Sequence, residues 1–111
     1  MTANNLTITE YATLAYITPG ASIGQVPMEP PLAEQAISVT TSTQSAVLNV
    51  KTRLVRLAND AGTPLAITIG TNPTATVPSA GTGSGRLGVN AIEYRGVPAN
   101  SGFKVAAVQT T

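Results

Sequence analysis

A chain of 111 residues with no histidine and no cysteine has few ways to move a proton or hold a metal ion. Histidine is the commonest general base, the usual partner of a nucleophilic serine and the commonest transition-metal ligand. Without cysteine there is no thiolate nucleophile, no disulfide and no thiolate metal site. Serines remain, but a serine nucleophile needs a base. Lys51 and Lys104 are the only lysines. Both are expected at outward or edge positions, where the amine stays protonated. The five carboxylates, Glu10, Glu29, Glu34, Asp60 and Glu93, lack the dense Asp/Asn/Gly spacing of a calcium loop. Two of them meeting in space would resemble the acid–base pair of a glycosidase. Such a site usually adds aromatic platforms, and this chain offers only Tyr11, Tyr16, Tyr94 and Phe103. Isolated surface charges are the expectation, and with them a protein that is not an enzyme and uses no cofactor or metal.

Two other patterns touch on ligand chemistry. Gly83-Ser84-Gly85-Arg86-Leu87-Gly88 spells G-x-G-x-x-G. That motif cradles a pyrophosphate only between a strand and a helix N-terminus. Here it sits in a Gly/Ser/Thr stretch whose following residues favour a strand, so no dinucleotide site is expected. Arg53, Arg56 and Arg95 are phosphate binders by type. A sheet that binds nucleic acid would present a richer basic and aromatic face. No nucleic-acid partner, membrane or small-molecule substrate is expected.

What remains is contact with other protein. Only 10% of the residues are charged, against about 25% in a typical domain. Small neutral residues make up the difference, and such a surface packs against protein at little desolvation cost. The charges are also split along the chain. Residues 1–50 hold Glu10, Glu29 and Glu34 and no base, for −3; residues 51–111 hold six bases against Asp60 and Glu93, for +4. An acidic half could meet the basic half of a neighbouring copy, so a homo-oligomer is expected.

The elements that would position these residues are strands. Leu65, Ile67 and Ile69 fall on one face of a two-residue period. So do Leu6 with Ile8, Ile37 with Val39, Ala46 with Leu48 and Val50, and Phe103 with Val105. In the 53–57 segment Val55 and Leu57 make the core pair, which turns Leu54 outward with Arg56. In the 92–95 segment Ile92 and Tyr94 point one way, Glu93 and Arg95 the other. Outward Leu54, Ala106 and Val108 together suggest a second buried face. Residues 29–37 could make at most one helical turn. Asn59-Asp60-Ala61-Gly62 reads as a hairpin turn, and Asn100-Ser101-Gly102 as the turn into the last strand. About eight short strands predict one all-β domain over 1–111, a β-sandwich or barrel. A jelly roll fits the strand count, with an immunoglobulin-like sandwich as the alternative. The proline-rich stretch 18–35, with Pro27, Pro30 and Pro31, reads as an extended arm or loop that could lie on a neighbouring subunit.

The second half resembles the head decoration, or cement, proteins of tailed bacteriophages. The resemblance rests on Thr52-Arg53-Leu54-Val55-Arg56, on Gly70-Thr71-Asn72-Pro73-Thr74-Ala75, on Glu93-Tyr94 and on Gly102-Phe103-Lys104-Val105-Ala106. It covers about residues 52–108. It implies a structural virion protein that binds the major capsid protein on the outer surface of the particle, assembled in the host cytoplasm. The competing expectation is a tail or fibre module that recognises a host glycan or surface protein. The residues expected at a protein interface are Arg53, Leu54, Arg56, Ala106 and Val108, with Pro27, Pro30 and Pro31 of the arm.

Overall fold

Strand β1 (Asn5–Tyr11) sets the pattern for the fold. Leu6 and Ile8 are fully buried in the core, and Glu10 follows them inward; Thr7, Thr9 and Tyr11 face the other way. The computed structural model describes residues 5–15, 26–27, 29–77 and 85–110. All of its regular elements are strands. After β1 come β2 (Leu14–Ala15), β3 (Val26–Pro27), β4 (Ala33–Ser38), β5 (Thr43–Gln44) and β6 (Leu54–Asn59). Then follow β7 (Leu65–Gly70), β8 (Gly85–Leu87), β9 (Ile92–Gly96) and β10 (Lys104–Gln109).

Two antiparallel four-stranded sheets pack face to face. Sheet 1 has the order β4-β1-β6-β9 and sheet 2 the order β5-β10-β7-β8; β2 and β3 form a separate two-residue ribbon. The core lies between the sheets. Sheet 1 supplies Leu6, Ile8, Ile37, Val55 and Leu57, and sheet 2 supplies Leu65, Ile67, Leu87, Val105 and Ala107. Burying these side chains is the main stabilising term, since no disulfide contributes.

The wiring separates the two expected architectures. β7 pairs with β8, β6 with β9, and β5 with β10. These pairs nest inside one another and alternate between the sheets. One long hairpin has therefore been rolled round the core, as in a jelly roll, and β4 closes it against β1.

The 29–37 segment keeps within its limit of one helical turn by forming none, since Ala33–Ser38 is strand β4 with Ile37 inward. Two sequence expectations give way. Ala46, Leu48 and Val50 do not lie on a strand. Leu48 enters the core, whereas Val47 and Val50 stand out from an irregular loop. The Asn59–Gly62 turn is not a hairpin turn, since β6 and β7 belong to different sheets. It arches the chain from one sheet to the other, with Gly62 at φ 80°. The turn residues are the same for a hairpin and an arch; only the partners of the flanking strands differ. Other expectations match the structure. Val55 and Leu57 are inward, Leu54 and Arg56 are not, and the 100–102 turn carries positive φ at Asn100 and Gly102. Gly85-Arg86-Leu87 is a strand, so the glycine motif opens no helix. Residues 78–84, and the 18–25 part of the proline-rich stretch, lie outside the described residues.

Asn59 holds the arch. Its Nδ2 donates to the carbonyl oxygens of Thr63 at 2.8 Å and Gly88 at 2.9 Å, and its Oδ1 accepts from the Ala61 amide at 2.8 Å. One buried amide thus ties the end of β6 in sheet 1 to the chain that leaves β8 in sheet 2. Asn59→Ala strands several buried polar groups at once and is expected to cost at least about 2 kcal/mol. Leu57→Ala should cost about 2–5 kcal/mol through the cavity it leaves. Chemical denaturation of both variants checks this assignment; parent-like midpoints would refute it.

Candidate functional site

Because Leu6, Ile8, Val55 and Leu57 are drawn inward, their chain neighbours must line the outer face of sheet 1. Register aligns them into rows across the four strands. One row is Glu34, Thr9, Arg56 and Tyr94, in the order β4-β1-β6-β9. The next is Ala36, Thr7, Ala58 and Ile92. The first row carries an acceptor, a hydroxyl, a guanidinium and a phenol ring. The second is mostly small and forms a low floor.

The outward residues of β1 organise the carboxylates around them. Thr7 Oγ1 donates to Asp60 Oδ2 at 2.9 Å, Thr9 Oγ1 to Glu34 Oε2 at 3.0 Å, and the Tyr11 hydroxyl to Glu29 Oε1 at 3.2 Å. Three carboxylates from separate parts of the chain are therefore strung along one strand. Every second residue of a strand advances by roughly 6.8 Å. At that spacing the carboxylates cannot converge on one ion. Among the described residues no cluster of three His, Cys, Asp or Glu could hold a metal.

The result is a two-part groove. The larger part, about 580 Å³, lies between Tyr11, Pro27, Glu29, Pro31, Arg56 and Tyr94, over Thr9 and Glu34. The smaller, about 260 Å³, shares Glu34 and Arg56 and runs over Thr7 and Ala58 to Asp60, Asn90 and Ile92. Tyr94 and Ile92 are each half-exposed. Tyr11 is buried, and its burial holds the phenol above its ordinary pKa. The hydrogen bond to Glu29 and that carboxylate's charge add to the rise, and Arg56 opposes it.

The structure gathers some of the expected interface residues and disperses others. Arg56, Pro27 and Pro31 line the groove together. Leu54 is half-buried on the same face, opposite Tyr11 and Gly96. Arg53 is exposed at the strand end beside it, and Pro30 is exposed. Ala106 lies on the far side of the molecule, on the outer face of sheet 2. It is completely covered there, so it offers no surface to a partner. Gln44 pairs with Ala106, and its Nε2 holds the Pro73 carbonyl at 2.8 Å and Asn72 Oδ1 at 2.9 Å. The chain's own 72–75 segment thus lies against that face, with Pro73 and Ala75 buried. Val108, in the same strand, is half-buried. The single second buried face expected from Leu54, Ala106 and Val108 does not form: Leu54 lies on sheet 1, the other two on sheet 2, and at Ala106 the cover is internal.

The sequence reading missed Thr7, Thr9, Tyr11, Tyr94 and the gathered carboxylates. One signal was present: Thr7 and Thr9 alternate with Leu6 and Ile8, which places two hydroxyls on the face of the strand turned away from the core. No protein-family model, curated protein or solved structure matches this chain.

The raised Tyr11 pKa has a sign that can be checked. The fold favours the protonated phenol, so this group's contribution is complete below the unfolded pKa of about 10. It is lost as pH rises through the higher folded value. Tyr11→Phe removes the titrating group and keeps the ring. Its stability, measured by denaturation from pH 9 upward, should fall less steeply than that of the parent. Equal slopes would show that Tyr11 is not held in this way.

Proposed function

We propose that this protein is a non-enzymatic structural component of a virus particle. In this reading it is a decoration or cement subunit that docks on the major capsid protein at the outer surface of a tailed-phage capsid. It is made in the host cytoplasm and works through contacts with shell protein and with its own copies. The resemblance in residues 52–108 supplies the class of particle.

The structural observation that supports docking is the loop over residues 45–51. Val47 and Val50 are 54% and 62% exposed there. The loop beneath them is fixed. Leu48 is buried in the core, and its amide donates to the Phe103 carbonyl at 2.9 Å. The Asn100 amide donates to the Val50 carbonyl at 2.9 Å, and Glu10 Oε1 accepts the Asn49 amide at 2.6 Å. Apolar side chains on a preordered loop lose little conformational freedom when they dock. Lys51 is the loop's one charged residue, so most of its exposed surface is neutral, which favours a protein surface as the partner. Arg53, exposed close by, would act on the encounter rate more than on the final complex.

Two measurements test this. Mass spectrometry of purified particles should find the chain at a fixed copy number. The double variant Val47→Asp, Val50→Asp should fold like the parent yet be lost from particles during purification. Arg53→Glu should slow binding to bare shells at low salt and lose that effect at high salt, where screening is short-ranged. A chain absent from particles, or a double variant retained like the parent, would sink the docking reading.

A further inference from the structure

The groove on the outer face of sheet 1 is separate from that docking loop, since Val47 and Val50 line neither part of it. We infer that this groove is a binding site for a neutral oligosaccharide.

The argument starts from what lies within reach of a bound molecule. Across the strands the groove presents a carboxylate at Glu34 and a guanidinium at Arg56; Thr9 between them is buried and donates to Glu34. Acceptor and donor are therefore spaced by two strand separations, about 9.6 Å. A ligand that satisfies such a row must donate at one point and accept at the next. Sugar hydroxyls do both. Tyr94 ends the row with its side chain half-exposed and Arg56 as its register partner. An exposed phenol ring offers a flat apolar face for the C–H side of a pyranose, with a polar tip for its hydroxyls. The small floor of Ala36, Thr7 and Ala58 leaves room for a ring to sit close to the sheet. The larger hollow, at about 580 Å³, falls in the size range of small-molecule sites, about 300–1,000 Å³. The smaller continues from it, so more than one sugar unit can be held.

Charge narrows the ligand further. Glu29, Glu34 and Asp60 line the groove against one arginine, Arg56. Phosphate, sulfate and sialate would meet a net negative wall. A lysine-rich peptide would meet Arg56 at the point where the two hollows join. A neutral polyhydroxyl chain meets neither obstacle. The carboxylates are also held ready for this work. Thr7, Thr9 and Tyr11 each fix one of them by a hydrogen bond, so little ordering is left for the ligand to impose.

The test is an array of neutral hexose and N-acetylhexosamine oligosaccharides, printed beside sialylated and sulfated glycans and oligolysine. The purified protein should bind at least one neutral oligosaccharide. Against that glycan in solution, Tyr94→Ala and Glu34→Gln should each weaken binding at least tenfold. Both side chains are exposed, so both variants should melt like the parent. The double variant Val47→Asp, Val50→Asp should bind as the parent does, so a failed docking reading and a failed sugar site give different results. Binding only to anionic glycans, binding to oligolysine without any glycan, no binding at all, or binding that survives Tyr94→Ala would each overturn the inference.

Discussion

The inward turn of Glu10 decides the rest of the structure. A carboxyl group 2% exposed needs hydrogen-bond partners or it destabilises the fold. Here Oε1 accepts from the Asn49 amide at 2.6 Å and from Thr52 Oγ1 at 2.8 Å. Both donors lie on the segment that leads into β6. The bond pins the end of one central strand to the start of its neighbour. It also fixes parity: with Leu6, Ile8 and Glu10 inward, Thr7, Thr9 and Tyr11 must face out. A slip of one residue would put two leucine-sized side chains in water and the hydroxyls in the core. The groove, its three anchored carboxylates and the exposed valine loop all follow from the position of that one side chain.

The sandwich closes differently at its edges. β9 is an edge strand, and its residues opposite Leu57 and Val55 are Glu93 and Arg95. The charged pair therefore points to the core side and the apolar pair, Ile92 and Tyr94, outward. Arg95 reaches across toward sheet 2, where its Nη2 lies 4.0 Å from the point at which a side chain on Gly85 would begin. Inward charges at a sheet edge are a known guard against strand addition by another chain. The Arg95–Glu93 contact itself, at 3.6 Å and partly exposed, contributes at most about 1 kcal/mol. Its value lies in covering the open side of the core while keeping β9 short and polar. That arrangement leaves Tyr94 outward at the end of the groove.

Much of the fold was legible because two-residue alternation reports the buried face directly. Val55 with Leu57, Leu65 with Ile67, and Leu6 with Ile8 are core pairs in the sequence and in the structure. The failures share a cause. Ala46-Leu48-Val50 alternates as cleanly as any strand, yet only Leu48 is buried, because Glu10 and the Phe103 carbonyl hold the segment as a loop. Asn59-Asp60-Ala61-Gly62 has the residues of a tight turn, but the partners of β6 and β7 decide between hairpin and arch. Those partners are β1 and β9 for β6, and β10 and β8 for β7; of these only β8, beside β7, is also the next strand in the chain. The groove was still less legible. Glu29, Glu34 and Asp60 look isolated along the chain because Thr7, Thr9 and Tyr11 bring them together across two strand pairings and a loop. Arg56, Pro27 and Pro31 were picked out one by one, and nothing local says that they share a wall.

The two faces of β1 carry different burdens, and that separation lets one small domain keep an open polar groove outside its core. Its inner face is apolar apart from one carboxyl that accepts two hydrogen bonds, so stability comes from burial away from the groove. Its outer face is polar, and its carboxylates are anchored by hydroxyls rather than by burial. Glu34 and Tyr94 are exposed, so replacing them opens no cavity. A site built at the centre of such a sandwich would set stability against binding at every position. On the outer face Tyr94, Glu34 and Asn90 can change while Leu6, Ile8, Val55 and Leu57 keep the same core. The loop that carries Val47 and Val50 follows the same rule at the end of the sandwich. Leu48 holds it to the core, and Val47 and Val50 stand out from it.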